Sequence, residues 1–269
     1  FDVATQEILT ALLNGFTGVL LPERRETSFL EIIEALEASK VDVIYTTPSY
    51  LDLLSDNEKR ASRLFSAVKI ICLAGEKFNL NRFALKAQNI KQTIFENHYG
   101  PAETHVATYK TVMDRGDIII GHPIANTQIY IVDNYLNPVP AGITGELCIA
   151  GDGVGAGYFN KPKLTAEKFI PNPFGPGKLY KTGDLAYWRE DGNIVYVGRN
   201  DFQVKIRGLR VELGEIENTI AGVDGISQTI VVVRKNEAGR QLICAFYTET
   251  APVELETIKS ALREKLPRY

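Results

Sequence analysis

The chain has 269 residues, 45% of them hydrophobic, and a formal net charge of −3. That length allows one or two domains with a core of ordinary size. A near-neutral chain without a basic block does not bind nucleic acid through phosphate charge, and no apolar run reaches the roughly 20 residues of a membrane span.

Residues 5–14 carry Ile8, Leu9, Leu12 and Leu13 on one helical side, with Gly15 as the stop. Gly18–Leu21 reads as a short buried strand. Ser28 with Glu31 behind it forms a capping box for a helix that runs to about Ala38. Val41–Thr46 is a strand, and Pro48 opens a helix at its first turn. Val68–Ala74 is a strand ending at Gly75, residues 80–88 are helical, and Gln92–Phe95 is a strand. This alternation predicts a parallel α/β portion over about 1–108. Ligands of such sheets bind beyond the carboxyl ends of the strands. Those ends are Tyr45-Thr46, Ala74-Gly75 and Asn97-His98-Tyr99-Gly100.

After Thr108, glycine and proline become frequent and strands shorten: Gln128–Val132, Glu146–Ala150, Ile194–Val197. An antiparallel sheet or open barrel over about 109–200 is expected. From Asp201 a small α/β unit follows, with strand Gln203–Ile206, helix Gly214–Ala221, strands Thr229–Val233 and Gln241–Tyr247, and helix Val253–Leu266. Cys72, Cys148 and Cys244 stand far apart in apolar runs, which reads as buried reduced thiols of a cytoplasmic protein. No secretory leader is visible. The chain opens on Phe1-Asp2 without an initiator Met and stops at Tyr269, so it reads as a piece of a longer polypeptide.

Several stretches carry chemistry. Lys181 to Glu217 gathers Asp184, Asp191 and Asp201 among Arg199, Lys205, Arg207 and Arg210, with Phe202, Val204 and Ile206 alternating as in a half-buried strand. A charged hairpin edge describes it equally well. Gly151–Gly157 follows a strand, but no helix follows the glycines directly, so a dinucleotide fingerprint is rejected in favour of a tight loop. Asn97–Thr104 reads as a loop in which Tyr99 offers a flat ring for stacking on a base. Glu103 there is a hard oxygen ligand suited to Mg²⁺, and Thr104 adds a hydroxyl; a plain surface turn remains open. Asp184 after Thr182-Gly183 suits the hydroxyls of a ribose, or is a turn residue. Asp2 starts the first helix as an N-cap or anchors a ligand ammonium. His98 and His105 show no metal spacing.

Asn-His-Tyr-Gly-Pro-Ala-Glu, Gly-Glu-Leu-Cys-Ile-Ala-Gly, Tyr-Lys-Thr-Gly-Asp and the run from Gly198 to Glu217 occur in that order. Order and spacing resemble the adenylate-forming, AMP-binding enzymes and, within them, the amino-acid adenylation domains of nonribosomal peptide synthetases, along the whole chain. The resemblance implies an α/β multidomain fold: a parallel α/β core plus a distorted β-barrel, then a small C-terminal α/β domain. Residues 1–200 would be the C-terminal part of the large AMP-binding domain and 201–269 the small C-terminal adenylation subdomain, both incomplete. It also implies the reaction: ATP and an amino acid give aminoacyl-AMP and pyrophosphate, and the aminoacyl group passes to a phosphopantetheine thiol on a carrier domain. Peptidyl carrier and condensation domains of the same synthetase are the implied partners, with no nucleic acid and no membrane.

Under the same resemblance, Tyr99 is the adenine-stacking aromatic with Asn97 nearby, and Gly75 and Gly100 belong to the nucleotide site. Glu103 is the Mg²⁺ ligand, with Thr104 beside the phosphate. Asp184 is the ribose-binding acid that Arg199 supports. Asp201 is the hinge, and Lys205 and Gly208 lie on the strand and loop that rotation brings to the active site. The family's phosphate loop would precede Phe1 and its catalytic lysine would follow Tyr269, so the 269 residues alone are expected not to complete adenylation. The substrate pocket maps to Asp2, Val3, Gln6, Tyr45, Cys72, Ala74, His98, Val106 and Ala107. Asp2 would pair with the α-ammonium, because an acyl substrate lacking one would leave that carboxylate unpaired at a cost of several kcal/mol. The set resembles pockets for proline or a related imino acid, and Cys72 and Ala107 leave space for a ring substituent. The rival readings are another adenylate-forming ligase, such as an acyl-CoA synthetase or carrier-protein ligase, and a degenerate module used for protein contacts.

Overall fold

The computed structural model describes residues 3–20, 28–78, 90, 92–112, 118–200, 203–206, 209–235 and 241–266. The chain divides into two compact units, Phe1–Asn200 and Asp201–Tyr269.

In the first unit the elements run α1 (Val3–Leu13), α2 (Phe29–Ala38), β1 (Val43–Thr46), α3 (Pro48–Leu54), α4 (Glu58–Ala67), β2 (Ile70–Ala74) and β3 (Ile94–Tyr99). The antiparallel part follows as β4 (Thr108–Val112), β5 (Ile119–Pro123), β6 (Thr127–Val132), β7 (Gly145–Gly151), α5 (Pro162–Lys168), β8 (Phe169–Pro171), β9 (Lys178–Trp188) and β10 (Ile194–Arg199). The capping box of α2 is formed, with Ser28 N–H donating to Glu31 Oε2 at 2.5 Å and Glu31 N–H to Ser28 Oγ at 3.3 Å. These bonds hold the Glu31 carboxyl below its ordinary value. Behind the cap, Ile32, Ile33 and Leu36 face inward. The helix α4 is capped by Asn57 and buries Ala61, Leu64 and Phe65. Both helices pack with Ile71, Leu73 and Phe95 of β2 and β3 in one core.

The described strands of this unit join one sheet, in the order β1-β2-β3-β4-β5-β10-β9-β7-β6, with β8 on β9. Among the described residues, only the β1–β2 and β2–β3 pairs are parallel. From β4 on, every pair is antiparallel. The register breaks between Ile194 and Val195, Tyr196 and Gly198, and Glu146 and Cys148, and such bulges bend and twist the strands. Ile129, Ile131, Leu147, Ile149 and Ile194 form the core of this part with Tyr99 and Ala107.

The second unit holds β11 (Gln203–Ile206), β12 (Leu209–Glu212), α6 (Leu213–Ala221), β13 (Ile226–Lys235), β14 (Gln241–Glu249) and α7 (Leu255–Lys265). β11–β12 and β13–β14 are antiparallel pairs. Val211, Ile216, Ile220, Val231 and Ile258 supply its core. Among the described residues no helix is long and apolar enough to cross a membrane.

Four expectations change. Gly18–Leu20 forms no strand; Leu20 is 94% exposed, so the segment lacks the burial that a core strand would give it. The third parallel strand is Ile94–Tyr99 rather than Gln92–Phe95, because antiparallel pairing with β4 carries it to Tyr99↔Thr108. Asn97, His98 and Tyr99 therefore lie on a strand, not a loop. Asp184 sits within the eleven-residue β9 rather than in a turn. Cys72 and Cys148 are buried free thiols, but Cys244 is only partly buried. The expected helix at 80–88 lies outside the described residues.

Candidate active site

Strand alternation explains the first side-chain cluster. Register pairs Tyr45 with Cys72 and Cys72 with Glu96, while Ala74 pairs with His98 one row further on. Residues two apart share a face, so Tyr45, Cys72, Ala74, Glu96 and His98 all stand on one side of the sheet. The Tyr45 and His98 rings meet edge to face at 6.3 Å. Glu96 Oε2 lies 3.0 Å from His98 Nε2 and accepts from Cys72 Sγ at 3.8 Å. Burial, then the Glu96 charge, pushes the Cys72 thiol up to about 12. Burial first, then Cys72, also raises the Tyr45 phenol, which the Thr10 side chain hydrogen-bonds. Thr10 belongs to α1, and Gln6 one turn earlier shares its face. Gln6 Oε1 is buried with no hydrogen-bond partner among the described residues.

A second cluster surrounds Asp184, which is 3% exposed. Asp184 and Arg199 are cross-strand partners on β9 and β10. Arg199 Nη1 donates to Asp184 Oδ1 at 2.8 Å and Nη2 to the Thr182 carbonyl at 3.2 Å. Tyr99 donates its hydroxyl to Asp184 Oδ2 at 2.5 Å, and Tyr196 reaches Oδ1 at 3.4 Å. Thr182 Oγ1 accepts the Asp184 N–H at 2.9 Å. Burial and then the Asp184 charge hold the Tyr99 phenol well above its ordinary value. Tyr99, expected to offer a flat ring for stacking on a base, is 7% exposed, packs within the barrel core and has its hydroxyl on Asp184. Asn97 is likewise occupied, donating Nδ2 to the Ile119 carbonyl at 2.9 Å.

The third group is the 100–107 loop. Ala107 N–H returns to the Tyr99 carbonyl at 2.8 Å, and Thr104 N–H closes a turn on Pro101 O at 3.0 Å. A side chain at Gly100 would come within 1.8 Å of the His105 carbonyl, so only glycine lets the loop fold back. Glu103 Oε1 accepts from Tyr158 at 2.6 Å, while Gly155 N–H donates to the Glu103 carbonyl at 2.9 Å. The glycine-rich 151–157 loop is thus a backbone brace for the segment bearing Glu103 and Thr104. Thr104 is 4% exposed.

Of the expected site residues, Tyr45, Cys72, Ala74 and His98 are brought to one sheet face, Gln6 lies on α1, and Asp184 with Arg199 and Tyr99 forms another cluster. Gly75 has φ +85° and ends β2. Val106 is half-buried, but Ala107 is 1% exposed and packs in the barrel core, away from the role of a pocket wall. Val3 begins α1 and Lys205 lies in β11. Asp2, Asp201 and Gly208 lie outside the described residues. Sequence reasoning missed Glu96, Tyr158 and Tyr196. Extending β3 by strand period would have placed Glu96 beside His98; the two tyrosines had no local signal.

This combination of a parallel α/β layer continued by a bulged antiparallel sheet, with a small α/β unit after it, is the adenylate-forming enzyme fold. The crystal structure of IdnL1 matches 100% of this chain and 56% of that chain, at 26% identity and a TM-score of 0.88. An NRPS protein containing adenylation and PCP domains matches 99% of this chain and 54% of its own, at 26% identity and a TM-score of 0.83. The sequence profile of the AMP-binding enzyme family matches residues 1–159, and the chain belongs to that family. Its curated relatives include bacitracin synthase 3 of Bacillus licheniformis, 42% identical over 100% of this chain and 4% of that protein. Tyrocidine synthase 2 of Brevibacillus parabrevis is 38% identical over 100% of this chain and 8% of that protein. The chain thus spans a small fraction of the length of these relatives.

Proposed function

We propose that the chain is part of an adenylation domain that activates an amino acid, proline or a related imino acid, with ATP for loading onto a phosphopantetheine carrier. In that reaction a carboxylate oxygen of the amino acid attacks the α-phosphorus of ATP, the bond to the β-phosphate oxygen breaks, and pyrophosphate leaves. The observation that carries the reading is the single sheet face bearing Tyr45, Cys72, Ala74 and His98, with the unpartnered Gln6 Oε1 of α1 available to accept from a substrate N–H. A four-domain nonribosomal peptide synthetase bound to AMP and glycine supports the amino-acid adenylation part of this reading, not the choice of proline, being 32% identical over 100% of this chain and 20% of its own, at a TM-score of 0.67.

In this reading Asp184, fixed by Arg199 and Tyr99, accepts from the ribose hydroxyls. A carboxylate held in advance by two donors needs no reorganisation on binding. Glu103 and Thr104 supply a carboxylate and a hydroxyl, the hard oxygen donors Mg²⁺ takes, and that ion would neutralise phosphate charge. Tyr99 acts through Asp184 as well as through its ring. Residues 1–200 and 201–269 correspond to parts of the large and small domains, with Asp201 as pivot and Lys205 on the moving strand. Asp2 pairs with the substrate ammonium. Peptidyl carrier and condensation domains are the partners, in the cytoplasm.

Amino-acid-dependent ATP–pyrophosphate exchange by the full-length protein tests the substrate. Proline is expected to exceed phenylalanine by more than the about 10–200-fold that one methylene of fit provides; a preference for the aromatic overturns the assignment.

A further inference from the structure

Cys72, Glu96 and His98 are more than a pocket wall. Cys72 and Glu96 are register partners on β2 and β3, and His98 follows on the same face. One thiol sulfur, one carboxylate oxygen and one imidazole nitrogen lie within 4.8 Å of one another. A tetrahedral zinc, about 2.0–2.1 Å from N and O and about 2.3 Å from S, requires N···O and S···O edges of about 3.3 and about 3.6 Å. The edges present are 3.0 Å from His98 Nε2 to Glu96 Oε2 and 3.8 Å from Cys72 Sγ to the same oxygen. Both edges to the Glu96 oxygen therefore lie within about 0.3 Å of those an ion needs, and the sulfur and the nitrogen lie within 4.8 Å of each other. All three donors project from paired strands, whose backbone is fixed by the ladder. Sulfur together with imidazole favours a thiophilic ion over Mg²⁺ or Ca²⁺, which take oxygen alone.

We propose that Cys72, Glu96 and His98 form a three-ligand site for a thiophilic divalent cation of the Zn²⁺ class, with the fourth corner open. Binding replaces the proton on Cys72 Sγ with the metal, and that proton passes to solvent; the Nε2 proton that His98 shares with Glu96 is likewise given up, and the imidazole stays neutral by carrying its proton on Nδ1. Glu96 exchanges its bonds to the thiol and the imidazole for one to the ion. A consequence rests on the pocket reading above: the ion lies against Tyr45 and His98, where the amino acid would sit, so the two exclude each other and zinc inhibits competitively with the amino acid.

The test is made on the full-length protein, reduced and stripped with a chelator, then titrated with Co²⁺ and back-titrated with Zn²⁺, with no amino acid or ATP present. It therefore stands or falls apart from the assignment of substrate. The expected result is a tetrahedral cobalt spectrum with a thiolate-to-cobalt charge-transfer band that Zn²⁺ abolishes. Cys72→Ser removes the part of that band owed to this site. Glu96→Gln, which keeps the side-chain shape, weakens the metal bound there by about tenfold or more. Near-ultraviolet circular dichroism confirms that each variant is folded. A spectrum that folded Cys72→Ser leaves unchanged overturns the site, and so does an affinity that Glu96→Gln leaves unchanged. Should Cys72→Ser fail to fold, Glu96→Gln decides alone.

Discussion

Tyr99 and Asp184 are separated by 85 positions yet share a 2.5 Å hydrogen bond. The folded chain binds the Tyr99 proton more tightly than the unfolded chain, since its phenol is held well above the ordinary 10.0. Below that ordinary value both states carry the proton and the contribution to stability is complete. Above it the unfolded state deprotonates first and stability falls until the folded phenol also ionises. Urea midpoints measured against pH should therefore drop above about pH 10, less steeply in Tyr99→Phe. At neutral pH that variant should cost about 1–3 kcal/mol, because Asp184 stays buried with one donor fewer. Equal alkaline slopes in the two proteins would show that Tyr99 does not couple its proton to folding.

Glycines at strand ends and within strands are needed in different degrees. At Gly100 an added methyl would meet the His105 carbonyl at 1.8 Å, whereas at Gly198, beside a bulge in β10, nothing lies within 4 Å. Gly100→Ala should lower stability by about 1–3 kcal/mol and displace Glu103, while Gly198→Ala should change it by less than about 0.5 kcal/mol. Thermal midpoints of the two variants, read side by side, check the contrast; equal values would remove the packing argument. At this scale the sequence was legible where the signal is local. The Ser28–Glu31 box, the Pro48 start and the stop at Ala74-Gly75 each need only neighbours along the chain. The end of β3 was not legible, because Asn97–Tyr99 is extended by pairing with β4, a partner that begins at Thr108. That one boundary hid Glu96, whose face is set only once the strand is seen to run through His98.

For the molecule as a whole, the chain divides into its two compact units between positions 200 and 201. If Asp201 is the pivot proposed above, Asp201→Pro should restrict φ there, leaving pyrophosphate exchange within about twofold while lowering thioester loading by about tenfold or more. Loading and exchange that fall together would speak against a hinge. The sequence by itself determined the alternation of strand and helix, the change to antiparallel strands near Thr108, and the motif order that marks the family. Periodicity, caps and glycines are local, and they survive in a linear reading. Only the tertiary structure decided which acids are held and by what: Arg199 and Tyr99 on Asp184, Tyr158 on Glu103, Glu96 between Cys72 and His98. Those contacts depend on strand register and on the face each side chain takes, and a shift of one residue sends every side chain of a strand to the opposite side.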